Sequence, residues 1–345
     1  MLKQILNELV LGKNLTREQA AQLMQLLMEG EATSAQIGGL LVALRMKGET
    51  VEEITGFAQA MRTRLQPVQP HSTPLLDTCG TGGGRFRVFN VSTAVAFVLA
   101  AAGTHVAKHG NRAVSGTCGS ADVLEALGAR IDLSPSQCAR CIDEVGVGFL
   151  FAPLHHPALK HVGGPRRELG IRTVFNLLGP LVNPAGATLR LMGIYDGALC
   201  RTAAEALHAL GTTSAIVAHG DIGVGEIATV GTTLIAELRD GQVETYPLTR
   251  RDFGLSAEEP SLADLAPEAT PEANAALLRR VLTPQYDDAT TRAKRELVAV
   301  NAAAALRVCG YVEDWPDALQ MAQDLIASCK PLETLEHFVA FTHQV

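Results

Sequence analysis

A proline-rich, polar stretch at residues 66–73 divides this chain into two parts whose hydrophobic residues repeat at different periods. Before it, Leu23, Leu26 and Leu27, then Ile37, Leu40, Leu41 and Leu44, recur every three or four residues, so each set lines one face of a helix. Thr16 with Gln19, Thr33 with Gln36 and Thr50 with Glu53 have capping-box spacing, in which the side chains satisfy free N–H groups of a first helical turn. Gly30 and Gly48 stand where the first two of these helices should stop, because glycine enters a left-handed cap at little cost. After the divide, short β-type runs at 105–107 and 215–218 alternate with Ala- and Leu-rich helical runs at 92–102 and 200–210. That alternation predicts an α/β domain around a mostly parallel sheet. A second Pro- and acid-rich stretch, 257–272, predicts a surface excursion before helices at about 274–281 and 290–308.

Composition narrows the function classes. At 345 residues and 47% hydrophobic the chain can bury a large core and exceeds the usual size of one domain, so two domains are expected. Its formal charge of -7, without a dense Lys/Arg run, argues against a nucleic-acid partner. Apolar stretches such as 95–102 are too short to span a bilayer and the first residues lack a signal-peptide layout, so a cytoplasmic protein with no membrane partner is expected. Seven scattered cysteines do not form the framework of a small secreted domain. Cys138 and Cys141 make one C-x-x-C pair, but no second pair completes a zinc set, so they read as core residues.

The densest chemical signal is Asp77-Thr78-Cys79-Gly80-Thr81-Gly82-Gly83-Gly84, a run in which backbone N–H groups can form an anion-binding nest. It is not a dinucleotide fingerprint, since the third glycine of that spacing falls on Arg85, and no Lys-Ser/Thr pair follows to make a P-loop. Asn90, Ser92 and Thr93 stand at an expected helix start, where N–H groups and hydroxyls favour phosphate oxygens. Lys108 and Arg112, within Lys108-His109-Gly110-Asn111-Arg112, add positive charge. Together these segments point to a phosphate ester.

In that order they resemble the anthranilate phosphoribosyltransferase family of tryptophan biosynthesis. The resemblance runs on through Ser115-Gly116, Gly119-Ser120-Ala121-Asp122, His155-His156-Pro157 and Arg166-Arg167-Glu168-Leu169-Gly170, then Phe175-Asn176-Leu177-Leu178-Gly179-Pro180 and Pro271-Glu272-Ala273-Asn274. It implies a small helical domain, residues 1–70 joined by helices around 160–185, set against a larger α/β domain at 74–159 and 186–345. It also implies substrates at the hinge and a homodimer. By the same resemblance Gly80, Gly82, Gly83, Asn90, Ser92, Thr93, Lys108, Ser115 and Ser120 would contact phosphoribosyl pyrophosphate. Ser92 and Glu226 would meet magnesium, and Asn111 and Arg166 would hold an aromatic carboxylate, with His109 and Pro180 nearby. No residue is assigned as acid or base.

The chain also departs from the family pattern. Gly84 and Gly225 stand where the family has aspartate, Val88 where Ser or Thr is usual, and Thr117 and Cys118 where small polar or basic residues are common. Asp221 is the nearby acid expected to compensate in part for the one missing at 225. Alternatives left open are a paralogue using a different aromatic acid, a non-catalytic ligand-binding regulator, and a pyrimidine-nucleoside phosphorylase. The intact Asn111, Arg166 and Phe175–Leu181 segment argue against the last.

Overall fold

In the computed structural model, which describes residues 1–113, 116, 118–285 and 288–345, the change of period becomes a change of architecture. Helices α1 (Leu2–Val10), α2 (Arg17–Glu29), α3 (Ser34–Lys47) and α4 (Val51–Arg62) come first. All three expected capping boxes form at their starts. Gly30 closes α2 in the left-handed region (φ 77°, ψ 18°). Gly48 also has a positive φ, 85°, but its ψ of 129° sends the chain outward instead of tightening the last turn. The buried Glu53 carboxylate locks the bundle, accepting from Leu15 N (2.9 Å), Lys47 Nζ (2.8 Å) and Thr50 N (2.9 Å).

The rest of the chain builds a seven-stranded sheet. Strand β1 (Leu75–Asp77) leads through α5 (Val91–Ala101) to β2 (His105–Gly110), and α6 (Ser120–Ala126) and α7 (Pro135–Val145) lead to β3 (Val147–Phe151). Then α8 (Ala152–His155), α9 (Lys160–Leu169) and α10 (Phe175–Leu181) return the chain to the helical unit before β4 (Leu189–Gly193), α11 (Cys200–Ala209) and β5 (Ser214–Gly220). A hairpin, β6 (Thr232–Arg239) and β7 (Gln242–Thr249), is followed by α12 (Leu262–Leu265), α13 (Pro271–Val281), α14 (Ala289–Val308), α15 (Trp315–Ala327) and α16 (Lys330–Phe341). Helix α13 starts three residues earlier than its apolar pattern suggests, because Thr270 caps it and proline suits a first turn.

Strand order is β3-β2-β1-β4-β5-β6-β7, parallel from β3 to β5, with the hairpin antiparallel at one edge. Since β1 lies between β2 and β4, chain direction across the sheet reverses there, which opens a crevice beyond the carboxyl ends of those strands. The two sheet faces alternate residue by residue. Leu191, Ile216, Ala218 and Ile235 join the core around α5 and α14, whereas Met192, Val217, Ala236 and Leu238 join a second cluster. That second cluster continues through α11 and α10 into α1–α4 without a break. Arg62 of α4 crosses the same boundary, donating to Leu181 O (2.8 Å) and Leu210 O (2.7 Å) at two helix ends. Among the described residues, no helix is long and apolar enough to cross a membrane.

Candidate active site

Strand β1 ends in the crevice at Asp77, which is fully buried. Its Oδ2 accepts from Arg190 Nη1 (2.6 Å) and Asn183 Nδ2 (2.8 Å), and its Oδ1 accepts from Cys79 N (3.0 Å) and His109 N (3.2 Å). One carboxylate thus ties together the ends of β1 and β2, strand β4 and the turn after α10. Burial pushes its pKa up, and Arg190 is the largest influence opposing that shift.

The glycine-rich segment leaves this hub and packs backbone to backbone on two neighbouring loops. Thr81 N donates to Gly193 O (2.8 Å), Tyr195 N to Thr81 Oγ1 (3.0 Å) and Phe86 N to Gly223 O (3.2 Å). A Cβ added to Gly193 would lie 1.4 Å from the Gly225 carbonyl oxygen, and one added to Gly84 would lie 2.5 Å from that of Gly223. Only glycine allows such approach. Gly82 and Gly83, both exposed and both with positive φ (62° and 76°), form the tip of the segment. Arg172, from the α9–α10 connection, donates to Gly83 O and stacks 4.7 Å from the Tyr195 ring centre, so the helical unit reaches the loop directly.

Behind the tip, Lys108 of β2 is 3% exposed. Its ammonium donates to Ser92 Oγ (3.1 Å) and Thr78 Oγ1 (3.3 Å) and, among the described residues, has no carboxylate within ion-pair distance. Burial pushes its pKa down, with Asp77 and Glu226 among the charges opposing the shift. Glu226 is pushed up to about 7 by burial, against the pull of Lys108. Thr93, in the first turn of α5, keeps a buried hydroxyl without a partner among the described residues. Asn90 occupies the N-cap position of α5 without a side-chain cap bond, and its Nδ2 donates instead to Cys118 O (3.3 Å). Ser120 opens α6 and donates to Asn111 O (3.3 Å). Ser115 lies outside the described residues.

Two charged residues fall short of their expected places. Arg112 does not serve the phosphate side, because Glu125 and Asp122 of α6 hold its guanidinium (Nη2 to Glu125 Oε1, 2.9 Å). Asp221 does not replace the missing acid, since its Oδ2 accepts from Thr232 N (3.0 Å) and braces the turn into β6.

On the other side of Lys108, His109 donates from Nδ1 to Gly179 O (3.1 Å), which fixes the tautomer and leaves a buried Nε2 with no partner among the described residues. His156 stands 5.2 Å away between ring centres, also with an unpartnered Nε2, and burial holds both imidazoles down at about 3. His155 instead bonds Gln66 O (3.0 Å), the packing role its sequence context suggests. Pro180 is buried, its carbonyl accepting from Arg190 (3.1 Å). Arg166, on α9, lies 4.8 Å from the Phe175 ring centre without an acidic partner among the described residues, and burial pushes its pKa down, while Arg167 is exposed. Asn111 is exposed on the turn after β2, and no hydrogen bond links it to Arg166. Cys138 and Cys141 are buried free thiols in the core.

Magnesium takes oxygen ligands, commonly one or two carboxylates together with substrate phosphates. Among the described residues no three His, Cys, Asp or Glu side chains converge as a cage. Glu226, a single carboxylate near the Lys108 ammonium that bonds Ser92, could share such an ion with a bound diphosphate but could not cage one by itself.

Comparison with known proteins identifies the family. Residues 3–65 match the glycosyl transferase family helical bundle domain and residues 72–332 the glycosyl transferase family a/b domain. The anthranilate phosphoribosyltransferase of Moorella thermoacetica is 48% identical over 341 residues, covering 99% of this chain and 98% of the relative. The crystal structure of the Thermus thermophilus enzyme superposes with a TM-score of 0.90 at 40% identity, covering 98% of this chain and 99% of that one. The Saccharomyces cerevisiae enzyme in complex with PRPP and Mg gives a TM-score of 0.88 at 26% identity, covering 100% and 98%. The chain belongs to the anthranilate phosphoribosyltransferase family.

Proposed function

We propose that this pentosyltransferase joins the amine of anthranilate to the ribose of phosphoribosyl pyrophosphate, giving N-(5-phosphoribosyl)anthranilate and pyrophosphate for tryptophan biosynthesis. The observation that carries this reading is the buried ammonium of Lys108, with no carboxylate within ion-pair distance among the described residues, set between a glycine-lined phosphate loop and two neutral imidazoles.

The anomeric C–O bond breaks with its electron pair leaving on the diphosphate, the amine lone pair forms the new C–N bond, and the resulting cation loses one proton. Lys108 and the N–H groups of Gly80, Gly82 and Gly83 stabilise the growing negative charge of the leaving group. Ser92, Thr93, Asn90, Ser115 and Ser120 hold the remaining phosphate and ribose oxygens. Magnesium, when bound, would add Lewis-acid neutralisation of the diphosphate, with Ser92 and Glu226 the side chains that would hold it. Arg166 and Asn111 hold the acceptor's carboxylate against His109 and Pro180. His109 Nε2 accepts from the amine and orients its lone pair; an imidazole held at about 3 is too weak a base to do more. Since an N-arylammonium is strongly acidic, water suffices to take the proton.

The helical unit at 1–70 with the helices around 160–185, and the α/β unit formed by the rest, meet along this cleft. We assign the protein to the cytoplasm as a homodimer built on its helical face. Mixing protein, phosphoribosyl pyrophosphate, magnesium and anthranilate should quench anthranilate fluorescence as pyrophosphate appears, and Arg166→Ala should abolish both signals. Pyrophosphate release only with another aromatic acid would mean a different acceptor, and none with any acid would defeat the transferase reading.

A further inference from the structure

We propose that Arg85 and Arg87 form a guanidinium clamp on the diphosphate of phosphoribosyl pyrophosphate, so that this chain holds the ligand with little help from magnesium. The inference rests on the transferase reading and names the groups that replace the missing carboxylates.

Loop geometry explains one of the two missing acids. Aspartate at position 84 would require a Cβ 2.5 Å from the Gly223 carbonyl oxygen, so the loop as folded has no room for an acid there. At position 225 the nearest atom to an added Cβ is the Ile194 nitrogen, at 3.2 Å, yet glycine stands there too. Two acids are thus absent from the diphosphate side, and Glu226 is left facing Lys108.

Charge balance points the same way. Arg85 and Arg87 are exposed on the segment that carries Gly82 and Gly83. Among the described residues neither has an ion pair or a side-chain hydrogen bond, unlike Arg112 and Arg190 on either side of the crevice. Their surroundings differ. The Arg87 guanidinium reaches the 111–120 segment, its Nη1 lying 2.5 Å from where a Gly116 Cβ would be. That is the segment in which Thr117 and Cys118 stand where small polar or basic residues are common. Arg85 packs its Cβ 2.9 Å from the corresponding point on Gly223, beside the loop that carries Glu226. A guanidinium presents a planar fork that matches two phosphate oxygens, is always charged, and sheds water more readily than an ammonium. Two such forks beside an N–H nest supply in side chains the positive charge that a carboxylate-held ion would bring.

The test is calorimetric titration of phosphoribosyl pyrophosphate into wild type, Arg85→Gln/Arg87→Gln and Arg85→Lys/Arg87→Lys, each in excess EDTA and in saturating magnesium. Wild-type affinity should fall by less than about threefold in EDTA, whereas the Gln variant should lose about tenfold or more there and less in magnesium. The Lys variant, a charge without the fork, should fall between. Both residues are exposed, so unfolding midpoints should match wild type and separate a binding loss from a folding loss. Equal affinities of wild type and Gln variant in EDTA, or a wild type that binds only with magnesium, would overturn the clamp and leave the transferase reading standing. A wild type that binds in neither condition would overturn the transferase reading itself.

Discussion

Replacing Asp77 with alanine removes the only carboxylate that pairs with the Arg190 guanidinium among the described residues, and Arg190 is 2% exposed. Arg190 Nε and Nη2 already lack partners among those residues, and Nη1 would keep only the Pro180 carbonyl, so the stranded charge has nowhere to turn. Breaking a buried pair from one side costs about 3–5 kcal/mol, most of it the uncompensated ion. Arg190→Met should cost less, about 1–3 kcal/mol, because the Asp77 carboxylate would still accept from Asn183 Nδ2, Cys79 N and His109 N. The double variant should then lie well short of the sum, with a coupling energy of about 2 kcal/mol or more. Urea unfolding of the four proteins gives these differences directly. kcat/KM should fall in both Asp77→Ala proteins, since Cys79 N and His109 N lose the acceptor that aligns the phosphate loop with the acceptor pocket. Additive losses, or an Asp77→Ala cost below about 1 kcal/mol, would refute the view of this pair as the junction of the site.

Further outcomes follow from the same geometry. Gly193→Ala puts a methyl 1.4 Å from the Gly225 carbonyl, so phosphoribosyl pyrophosphate affinity should collapse, whereas Gly82→Ala, with open space but a φ of 62°, should cost only about 1 kcal/mol in unfolding experiments; similar behaviour of the two would argue against the interlocked loops. Glu226, held at about 7 against an ordinary 4.5, keeps its proton longer in the folded state. It therefore contributes stability that is full below about pH 4.5 and lost as pH rises through 7, at most about 3 kcal/mol for this half-buried group, and Glu226→Gln should flatten that part of the stability profile. His109 and His156, held at about 3, contribute stability that is full above pH 6.5 and lost as pH falls toward 3. His156→Phe should take about one proton out of the acid-unfolding slope, and an unchanged slope would contradict its burial as a neutral ring.

What the sequence made legible was local. Thr16 with Gln19 and Thr33 with Gln36 act within one helical turn, so their spacing alone foretells the bonds they make. β2 and β5 showed as apolar runs because both of their faces are buried, whereas β7 is an edge strand with a single buried residue and carries no such run. Its signal was the Asp240-Gly241 pair, whose positive φ values of 52° and 76° suit a tight hairpin. The phosphate-side residues could be named from their order along the chain, but their partners could not. Asp77 meets Asn183 and Arg190 across more than a hundred residues, and only the sheet order brings them together. Arg112 misled for the same reason, since nothing local says that α6 turns Asp122 and Glu125 toward it. The contact between Gly193 and Gly225 was silent as well, because an approach between two backbones leaves no pattern in either segment.

The hydrophobic cluster that runs from Ile5 through α10 and α11 to Leu238 makes the two units one mechanical body on that side, and Arg62 pins the seam by gripping the ends of two helices. Arg172, bonded to Gly83 O, adds a second tie on the phosphate-loop side, so the helical unit is fastened both along the seam and at the loop. Heat should therefore melt both units in a single cooperative step.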